Sequence, residues 1–382
     1  MTGQNSILDK IIESQEKQQA ASFNLSELVN SFLKNLSSKE SDILSRRFGL
    51  VGKEKETLEQ IGKYYNITRE RIRQIETATI KKLAELKDLK GEIEGAAQYI
   101  THLLENHGGV MEEKFLLEKI GQSASDATHQ RSSQFILNNL LKDKIESVKP
   151  DSHFLPGYKL PVVSLDVIKS AIQELVDMIE REEKLLSHQE ILNNFRNSNF
   201  YLSNKDQITA LKLGALEESE DIDNIIHSFL KIAKRVDQNI LGEWGLNNWN
   251  TIKPKRMSDK VYLVLKKHNK PLHFTDITDL INQEKFDKKI AYPATIHNEL
   301  ILDDRYVLVG RGIYALQEWG YKPGTVIDTI VEILTKAGKP LSKEEIVKAV
   351  LDQRIVRKST IYLALTNKDK IKKLPDGRYT IN

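Results

Sequence analysis

A short stretch of the chain carries four polar side chains that could read the edges of DNA bases: Arg69, Glu70, Arg73 and Gln74. At about 100° per residue of helix they fall within one arc, while Ile72 and Ile75 point the opposite way, into a core. Arginine can grip O6 and N7 of guanine, glutamine can pair with N6 and N7 of adenine, and glutamate can accept from N4 of cytosine. A helix in the major groove needs this division, although an ordinary charged helical hairpin would show the same pattern.

The residues around this stretch predict the helices that would position it. Ser37-x-x-Glu40 and Thr57-x-x-Gln60 are capping boxes, each of which marks the start of a helix. Gly49 is a natural stop for the first helix, and residues 66–68 form a tight turn before the helix that carries the four polar side chains. We therefore expect a helix-turn-helix over residues 36–90.

This helix-turn-helix resembles region 4, the C-terminal promoter-reading domain of primary sigma factors. The resemblance rests on four strings of sequence: RRFGL at 46–50, TLEQIG at 57–62, ITRERIRQIE at 67–76 and KKL at 81–83. It implies that the four polar side chains face the bases of the −35 promoter element and that Arg47 contacts a phosphate. Thr57 and Arg71 are further candidate phosphate contacts. Ala78 departs from the family, which usually has a basic residue there, so we expect weaker binding to a lone site.

The resemblance covers about an eighth of the 382 residues. A sigma factor would carry its polymerase-binding and promoter-melting regions upstream of this domain. Residues 1–35, which precede the match, instead form a polar, amphipathic segment that we expect to be helical. We therefore expect that this chain does not melt a promoter as a complete sigma factor does.

The remaining residues contain an internal repeat. GEWGLNNW at 242–249 aligns with GIYALQEW at 312–319, and the KP and KPL strings at 253–254 and 270–272 recur about 69 residues later. Each unit is predicted to form three helices and a closing β-hairpin, with turns at Gly310-Arg311-Gly312 and Pro375-Asp376-Gly377. Three helices and a hairpin make a winged helix, and such modules are predicted at four places: 95–160, 165–250, 254–319 and 322–382.

The tryptophan-bearing ends of these units resemble the HARE-HTH winged helix, which also occurs in the delta subunit of bacterial RNA polymerase. The resemblance implies contact with DNA or with polymerase, but it assigns no residue to that contact. Trp244, Trp249 and Trp319 are also explained as anchors that hold each wing to its core.

Charge is unevenly distributed along the chain. The net charge is only +3, but residues 251–382 carry about +9 and residues 164–250 carry about −6. The basic block includes Arg354, Arg357 and Lys358. The last two open the third helix of the final module, where a winged helix usually meets DNA, and they are candidate phosphate contacts. Solvated helix faces would carry the same charges.

The sequence indicates no catalytic, metal or cofactor site. The nine histidines form no metal-binding pair, the chain has no cysteine, and it contains neither a glycine-rich phosphate loop nor a nucleophile elbow. Asp151 with Glu182 imitates a metal-nuclease signature, but Glu182 ends a strongly helical run. No segment reaches the length of a membrane span. We therefore expect a cytoplasmic, nucleoid-associated protein without enzymatic activity.

These features together predict a mainly α protein, in which a sigma-type helix-turn-helix is followed by tandem winged-helix modules. The leading function is sequence-specific binding of duplex DNA, which would regulate transcription at −35-like sites. Two alternatives remain open: an accessory factor that binds core RNA polymerase, and the DNA-recognition subunit of a DNA-modifying or defence complex.

Overall fold

The computed structural model describes residues 25–120, 127–211 and 218–382, and it is mainly helical, as the sequence predicts. The chain divides into two compact units, Met1–Asp237 and Gln238–Asn382. Most of the predicted N-terminal segment 1–35 lies outside the described residues. Within the described ranges, no helix combines the length and the apolar character needed to cross a bilayer.

The first unit opens with four helices: α1 Leu25–Lys34, α2 Ser38–Phe48, α3 Leu58–Tyr65 and α4 Arg69–Glu85. Both predicted capping boxes are present, with Ser37 before α2 and Thr57 before α3. Gly49 ends α2 in the left-handed conformation (φ 68°), which glycine adopts without strain. One isoleucine from each of α2, α3 and α4 forms the buried centre of the helix-turn-helix: Ile43, Ile61 and Ile72.

More helices and short strands follow between residues 87 and 246, and the last of these strands, at residues 244–246, belongs to the second unit. The first group of elements is α5 Lys87–Glu105, β1 Val110–Glu112, α6 Glu113–Lys119, α7 Ala127–Phe135, a π-helical turn Ile136–Leu140, β2 Glu146–Val148 and β3 Gly157–Lys159. These strands form an antiparallel sheet in the order β1-β3-β2. The next group is α8 Leu165–Glu182, α9 His188–Arg196, α10 Asn199–Thr209, α11 Glu218–Ile232, β4 Val236–Gln238 and β5 Trp244–Leu246. The strongly helical run predicted before Glu182 is therefore confirmed as α8.

The second unit repeats one design twice, and each copy has its own apolar core. The first copy consists of α12 Met257–His268, β6 Leu272–His273, α13 Phe274–Glu284, α14 Pro293–Leu302, β7 Tyr306–Gly310, β8 Ile313–Leu316 and a 3₁₀ turn Gln317–Trp319. The second consists of α15 Val326–Ala337, α16 Lys343–Leu351, α17 Lys358–Ala364, β9 Ile371–Lys373 and β10 Tyr379–Ile381. Both predicted hairpins are present as antiparallel pairs. The limits of the four modules drawn from the sequence stay predictions.

Each copy also has a strand contact that the sequence did not predict, between its first and second helices. Leu272 in β6 pairs with Tyr314 of β8, and Leu341 forms an isolated bridge with Tyr379 of β10. The repeated Lys-Pro-Leu string is therefore not only a polar link, as predicted. Its leucine lies beside the last strand of the wing, and both leucines are buried there because they face the module core.

The helix-turn-helix packs against the module that follows it. Helix α7 lies against α1 and α2, and the rings of Phe48 and Phe135 are 4.9 Å apart between their centroids. The guanidinium of Arg131 donates to the carbonyl of Lys53 over 2.9 Å. Its side chain passes so close to Gly49 that a Cβ there would lie 2.8 Å from Arg131 Cδ. The close approach of α7 thus gives this glycine a second role beside its turn conformation.

Candidate nucleic-acid interface

Helix α4 presents the four candidate base-reading side chains to solvent. The hydroxyl of Thr68 caps the helix by accepting from the amide of Arg71 over 3.1 Å. Arg69, Glu70, Arg73 and Gln74 are all exposed, whereas Ile72 is fully buried and Ile75 packs on the same core. The polar face and the apolar back predicted from the sequence therefore lie on opposite sides of one helix.

Two of these side chains pair with each other in the unbound protein. Arg73 donates from Nη2 to Oε1 of Glu70 over 2.6 Å and from Nε to Oε2 over 2.9 Å. The hydrogen bonds lower the pKa of Glu70 and raise the pKa of Arg73. Arg71 makes a similar contact with Oε1 of Gln74 over 3.1 Å. Because exposed ion pairs are weak in water, the Glu70–Arg73 pair orients both side chains and can be exchanged for contacts with another partner.

The candidate phosphate contacts of this domain differ in what they already touch. Arg47 lies between α2 and α4, with its Nε 3.5 Å from a carboxylate oxygen of Glu76. The exposed hydroxyl of Thr57 donates to Oε1 of Gln60 over 2.9 Å and accepts from the Gln60 amide. A phosphate oxygen would therefore have to replace Gln60 as the acceptor for that hydroxyl. Arg71 is exposed beside the base-reading face.

The carboxylate of Asp42, which the sequence did not single out, holds α2 and α3 together. Asp42 accepts from Nε of Arg46 over 2.8 Å, from the hydroxyl of Tyr65 over 2.5 Å and from the ammonium of Lys53. Burial alone would raise the pKa of Asp42, but the three hydrogen bonds outweigh burial and lower its pKa to about 2. The spacing of four residues between Asp42 and Arg46 was a signal for part of this network, whereas Lys53 and Tyr65 meet it only in three dimensions.

The last α-helix before the closing strands of each later module presents a different surface. Helix α7 is covered by α1 and α2, and α11 packs against β1, where the Ser228 hydroxyl donates to the Val110 carbonyl. Helix α14 contains no lysine or arginine. Helix α17 begins at two exposed cations, Arg357 and Lys358, and neither has an ion-pair partner within the described residues. Among these helices, α17 alone combines exposure with positive charge.

The prediction that Arg354 adds to the basic surface is wrong. Its side chain is only 6% exposed. Its Nε donates to Oγ1 of Thr329 over 2.7 Å, Nη1 donates to the Leu308 carbonyl over 3.3 Å, and Nη2 donates to the Gly324 carbonyl. Burial lowers the pKa of this guanidinium. The sequence could not distinguish Arg354 from its exposed neighbours, because the residue type alone does not tell whether an arginine is buried.

The remaining sequence candidates occupy structural positions. Trp244 is buried. Trp319 packs against two apolar clusters, one that contains Tyr314 of β8 and one that contains Ala315 of the same strand. The carboxylate of Asp151 accepts from the backbone amides of His153 and Phe154, while Glu182 ends α8. Across the described ranges, no cluster of three or more histidine, aspartate or glutamate side chains could hold a metal ion.

Comparison with known proteins assigns a family to the first domain. Residues 32–85 match the family model described as Sigma-70, region 4. Over 56 residues the chain is 50% identical to the RNA polymerase sigma factor RpoD of Helicobacter pylori (strain ATCC 700392 / 26695). That alignment covers 14% of this chain and 8% of the sigma factor. The chain thus carries a region 4-type helix-turn-helix, and the resemblance of its later modules to HARE-HTH domains stays a prediction.

Proposed function

We propose that this protein binds duplex DNA at −35-like promoter elements and regulates transcription there without enzymatic activity of its own. The observation that carries the proposal is the exposed face of α4, in a domain that matches Sigma-70, region 4. Donors and acceptors on that face suit the base edges of the major groove. The buried isoleucines behind it hold the helix on a rigid core.

Backbone contacts would add to the affinity for DNA. Arg47, Thr57 and Arg71 belong to the same domain as α4, and Arg357 and Lys358 begin α17, the basic and exposed last helix of the final module. Phosphate contacts of this kind add affinity that depends on salt, whereas base contacts select the sequence. We therefore assign selectivity to α4 and general affinity to α17.

Selection of bound duplexes from a random pool tests the proposal. The full-length protein should enrich a −35-like sequence, and Arg73→Ala should enrich a sequence relaxed at one base position. Enrichment of no common sequence by the wild-type protein would contradict promoter reading and leave only backbone binding.

We also propose that the chain does not start transcription as a sigma factor does, because the region 4 match spans only residues 32–85. The purified protein with core polymerase should yield no run-off product from a linear promoter that carries the selected site. A primary sigma factor added to the same core polymerase is the positive control. A run-off product with this protein alone would overturn the proposal.

A polymerase-associated accessory factor is the second candidate, and one observation favours it. The exposed side of α14 carries no cation, and two side chains at its end are 61% and 80% exposed, Ile301 and Leu302. Such a surface suits a protein partner better than DNA. Co-purification with core polymerase that Ile301→Glu abolishes, together with sequence-blind recovery of promoters after crosslinking, would favour this function.

A further inference from the structure

The last module contains a cavity on the side of its wing, separate from the start of α17. The cavity has a volume of about 590 Å³ and lies between the end of α17, the loop that follows it and the hairpin of β9 and β10. We call it the lysine pocket. Its lining residues are Leu365, Thr366, Lys368, Ile371, Lys372, Lys373, Tyr379 and Asn382.

Lysine side chains dominate the charge around the lysine pocket. Lys368, Lys372 and Lys373 are exposed and have no ion-pair partner among the residues that the structure describes, and no acidic side chain lines the cavity. The neighbouring Lys370 differs, because its ammonium lies 2.8 Å from a carboxylate oxygen of Asp328. Three lysines without an ion-pair partner among the described residues border one cavity, and positive charge concentrated in this way attracts an anion.

The shape of the pocket is held by hydrogen bonds that the lysine side chains do not make. Asn382 donates from its side chain to the Lys368 carbonyl over 3.0 Å and from its amide to the Lys370 carbonyl over 3.1 Å. The side chain of Asn367 accepts from the amides of Asp369 and Lys370. The loop is thereby tied to the end of β10, and the lysine side chains stay free to contact a ligand.

Part of the pocket wall is apolar and aromatic, which an inorganic anion would not need. Leu365 and Ile371 are buried at its base, and the half-buried ring of Tyr379 lies 5.9 Å from the ammonium of Lys373. Aromatic rings beside cations are how proteins hold unpaired bases, since every base offers a flat face for stacking while its phosphate meets the positive charge. The volume also exceeds what a phosphate alone would fill.

We propose that the lysine pocket binds a nucleoside phosphate, with the base against Tyr379 and the phosphate among Lys368, Lys372 and Lys373. The ligand is either a free nucleotide or an unpaired nucleotide of a single strand. This site goes beyond duplex reading by α4, because a base in a duplex has no face available for stacking in a pocket.

Binding of a labelled oligothymidylate of about 20 residues to the full-length protein tests the proposal, since that length exceeds one typical binding site. The double variant Lys368→Glu with Lys372→Glu should lose about tenfold or more in affinity and flatten the salt slope by about 1.4, at 0.7 per single-strand phosphate contact. The matched control reverses two exposed lysines of the same module that do not line the pocket, Lys339→Glu with Lys348→Glu. It should lose less than about twofold. Equal losses in both double variants, or a loss in neither, would overturn the proposal.

Tyr379 provides a second, independent variant pair. Tyr379→Phe should keep the affinity for oligothymidylate, and Tyr379→Leu should weaken it about tenfold, because only the former keeps a ring for stacking. Thermal melts check that both variants fold. If the leucine variant does not fold, the lysine double variants described above still test the proposal. A folded leucine variant with wild-type affinity would overturn the assignment of a base to this pocket.

Competition distinguishes the two sources of the ligand. Displacement of the label by thymidine monophosphate assigns a free nucleotide, whereas displacement by unlabelled oligothymidylate alone assigns an unpaired strand. Because the probe is single-stranded and contains no promoter element, failure of duplex reading by α4 would leave this measurement intact.

Discussion

At the scale of single residues, the side chains on the proposed base-reading face of α4 already pair with one another. Glu70 and Arg73 share two hydrogen bonds across one turn of α4, and Arg71 contacts Gln74. A base that separates Glu70 from Arg73 must itself form hydrogen bonds with them, because a charged group left without a partner at an interface costs free energy. We therefore expect the pair to favour bases that offer an acceptor to Arg73 and a donor to Glu70.

Arg73→Ala should therefore weaken binding to the preferred duplex by about 1–3 kcal/mol and relax selectivity at one base position. The loss arises because the bidentate contact to a base disappears and Glu70 loses its neighbour. Gel-shift titrations with preferred and scrambled duplexes measure it, and Lys81→Ala, further along α4, is the control. Equal losses on both duplexes would mean that Arg73 contacts only the backbone.

His227 is a second residue with a consequence for the whole first unit. Its ring lies 5.0 Å from that of His188 and 5.1 Å from that of Phe115, between centroids. Burial, with the nearby charges of His188 and Lys231, lowers the pKa of His227 to about 3. Burial likewise lowers the pKa of His107 to about 4. Both rings are therefore neutral in the folded protein near pH 7.

The stability that comes from a neutral His227 is complete above its unfolded pKa of about 6.5 and is lost as the pH falls towards about 3. We expect the unfolding free energy of the first unit to fall by up to about 1.4 kcal/mol per pH unit for this group below pH 6. Denaturant titrations of the wild type and His227→Phe across this range measure the difference. Parallel pH profiles for the two proteins would contradict the role of His227.

At the scale of elements, one buried arginine joins the two modules of the second unit. Arg354 follows α16 and donates to the Leu308 carbonyl of β7, and next to it the amide of Ile355 donates to the Val309 carbonyl over 2.9 Å. Gly310 allows this approach, because a Cβ there would lie 2.4 Å from the Ile355 carbonyl oxygen. The edge of β7 is thereby covered by the following module, which also prevents it from pairing with another chain.

Arg354→Leu should destabilise the second unit by about 2–4 kcal/mol, because the Thr329 hydroxyl and the backbone carbonyls that accept from this guanidinium lose their donor at once. Arg354→Lys should recover only part of the loss, since one ammonium cannot reach acceptors spread around a planar guanidinium. Thermal unfolding measures both variants. Arg357→Ala, at an exposed position, is the control. An equal change in melting temperature for the Arg357 and Arg354 variants would show that Arg354 does not join the two modules.

At the scale of the whole molecule, the modules differ in what the last α-helix before their closing strands leaves exposed. Helix α7 is covered, α11 is packed, α14 has no lysine or arginine, and α17 is basic. A repeated fold therefore does not imply a repeated role. General affinity for DNA should depend on the last module rather than on all of them.

The double variant Arg357→Ala with Lys358→Ala should reduce the slope of log K against log salt by about 1.8, since each duplex phosphate that the protein no longer neutralises removes about 0.9. The preferred sequence should stay the same, because α4 is unchanged. Fluorescence anisotropy at several salt concentrations measures the slope. An unchanged slope, together with loss of co-purification with polymerase, would instead support the accessory function.

The sequence by itself determined the features that depend on near neighbours. The capping boxes at Ser37 and Thr57, the glycine stop at Gly49 and the polar face of α4 follow from spacings of a few residues, and the structure contains all of them. The hairpins of the second unit also formed where their turn residues predicted them. Helix caps, helix faces and tight turns are local, so their physics can be read along the chain.

Only the tertiary structure decided which of these surfaces stay exposed. Arg354 and Arg357 are the same residue type three positions apart, yet one is buried against backbone carbonyls and the other faces solvent. Asp42 meets Lys53 and Tyr65, and the ring of Phe48 meets that of Phe135, across separations that no local period describes. Burial depends on which elements pack together, and that packing depends on contacts between residues far apart in the sequence.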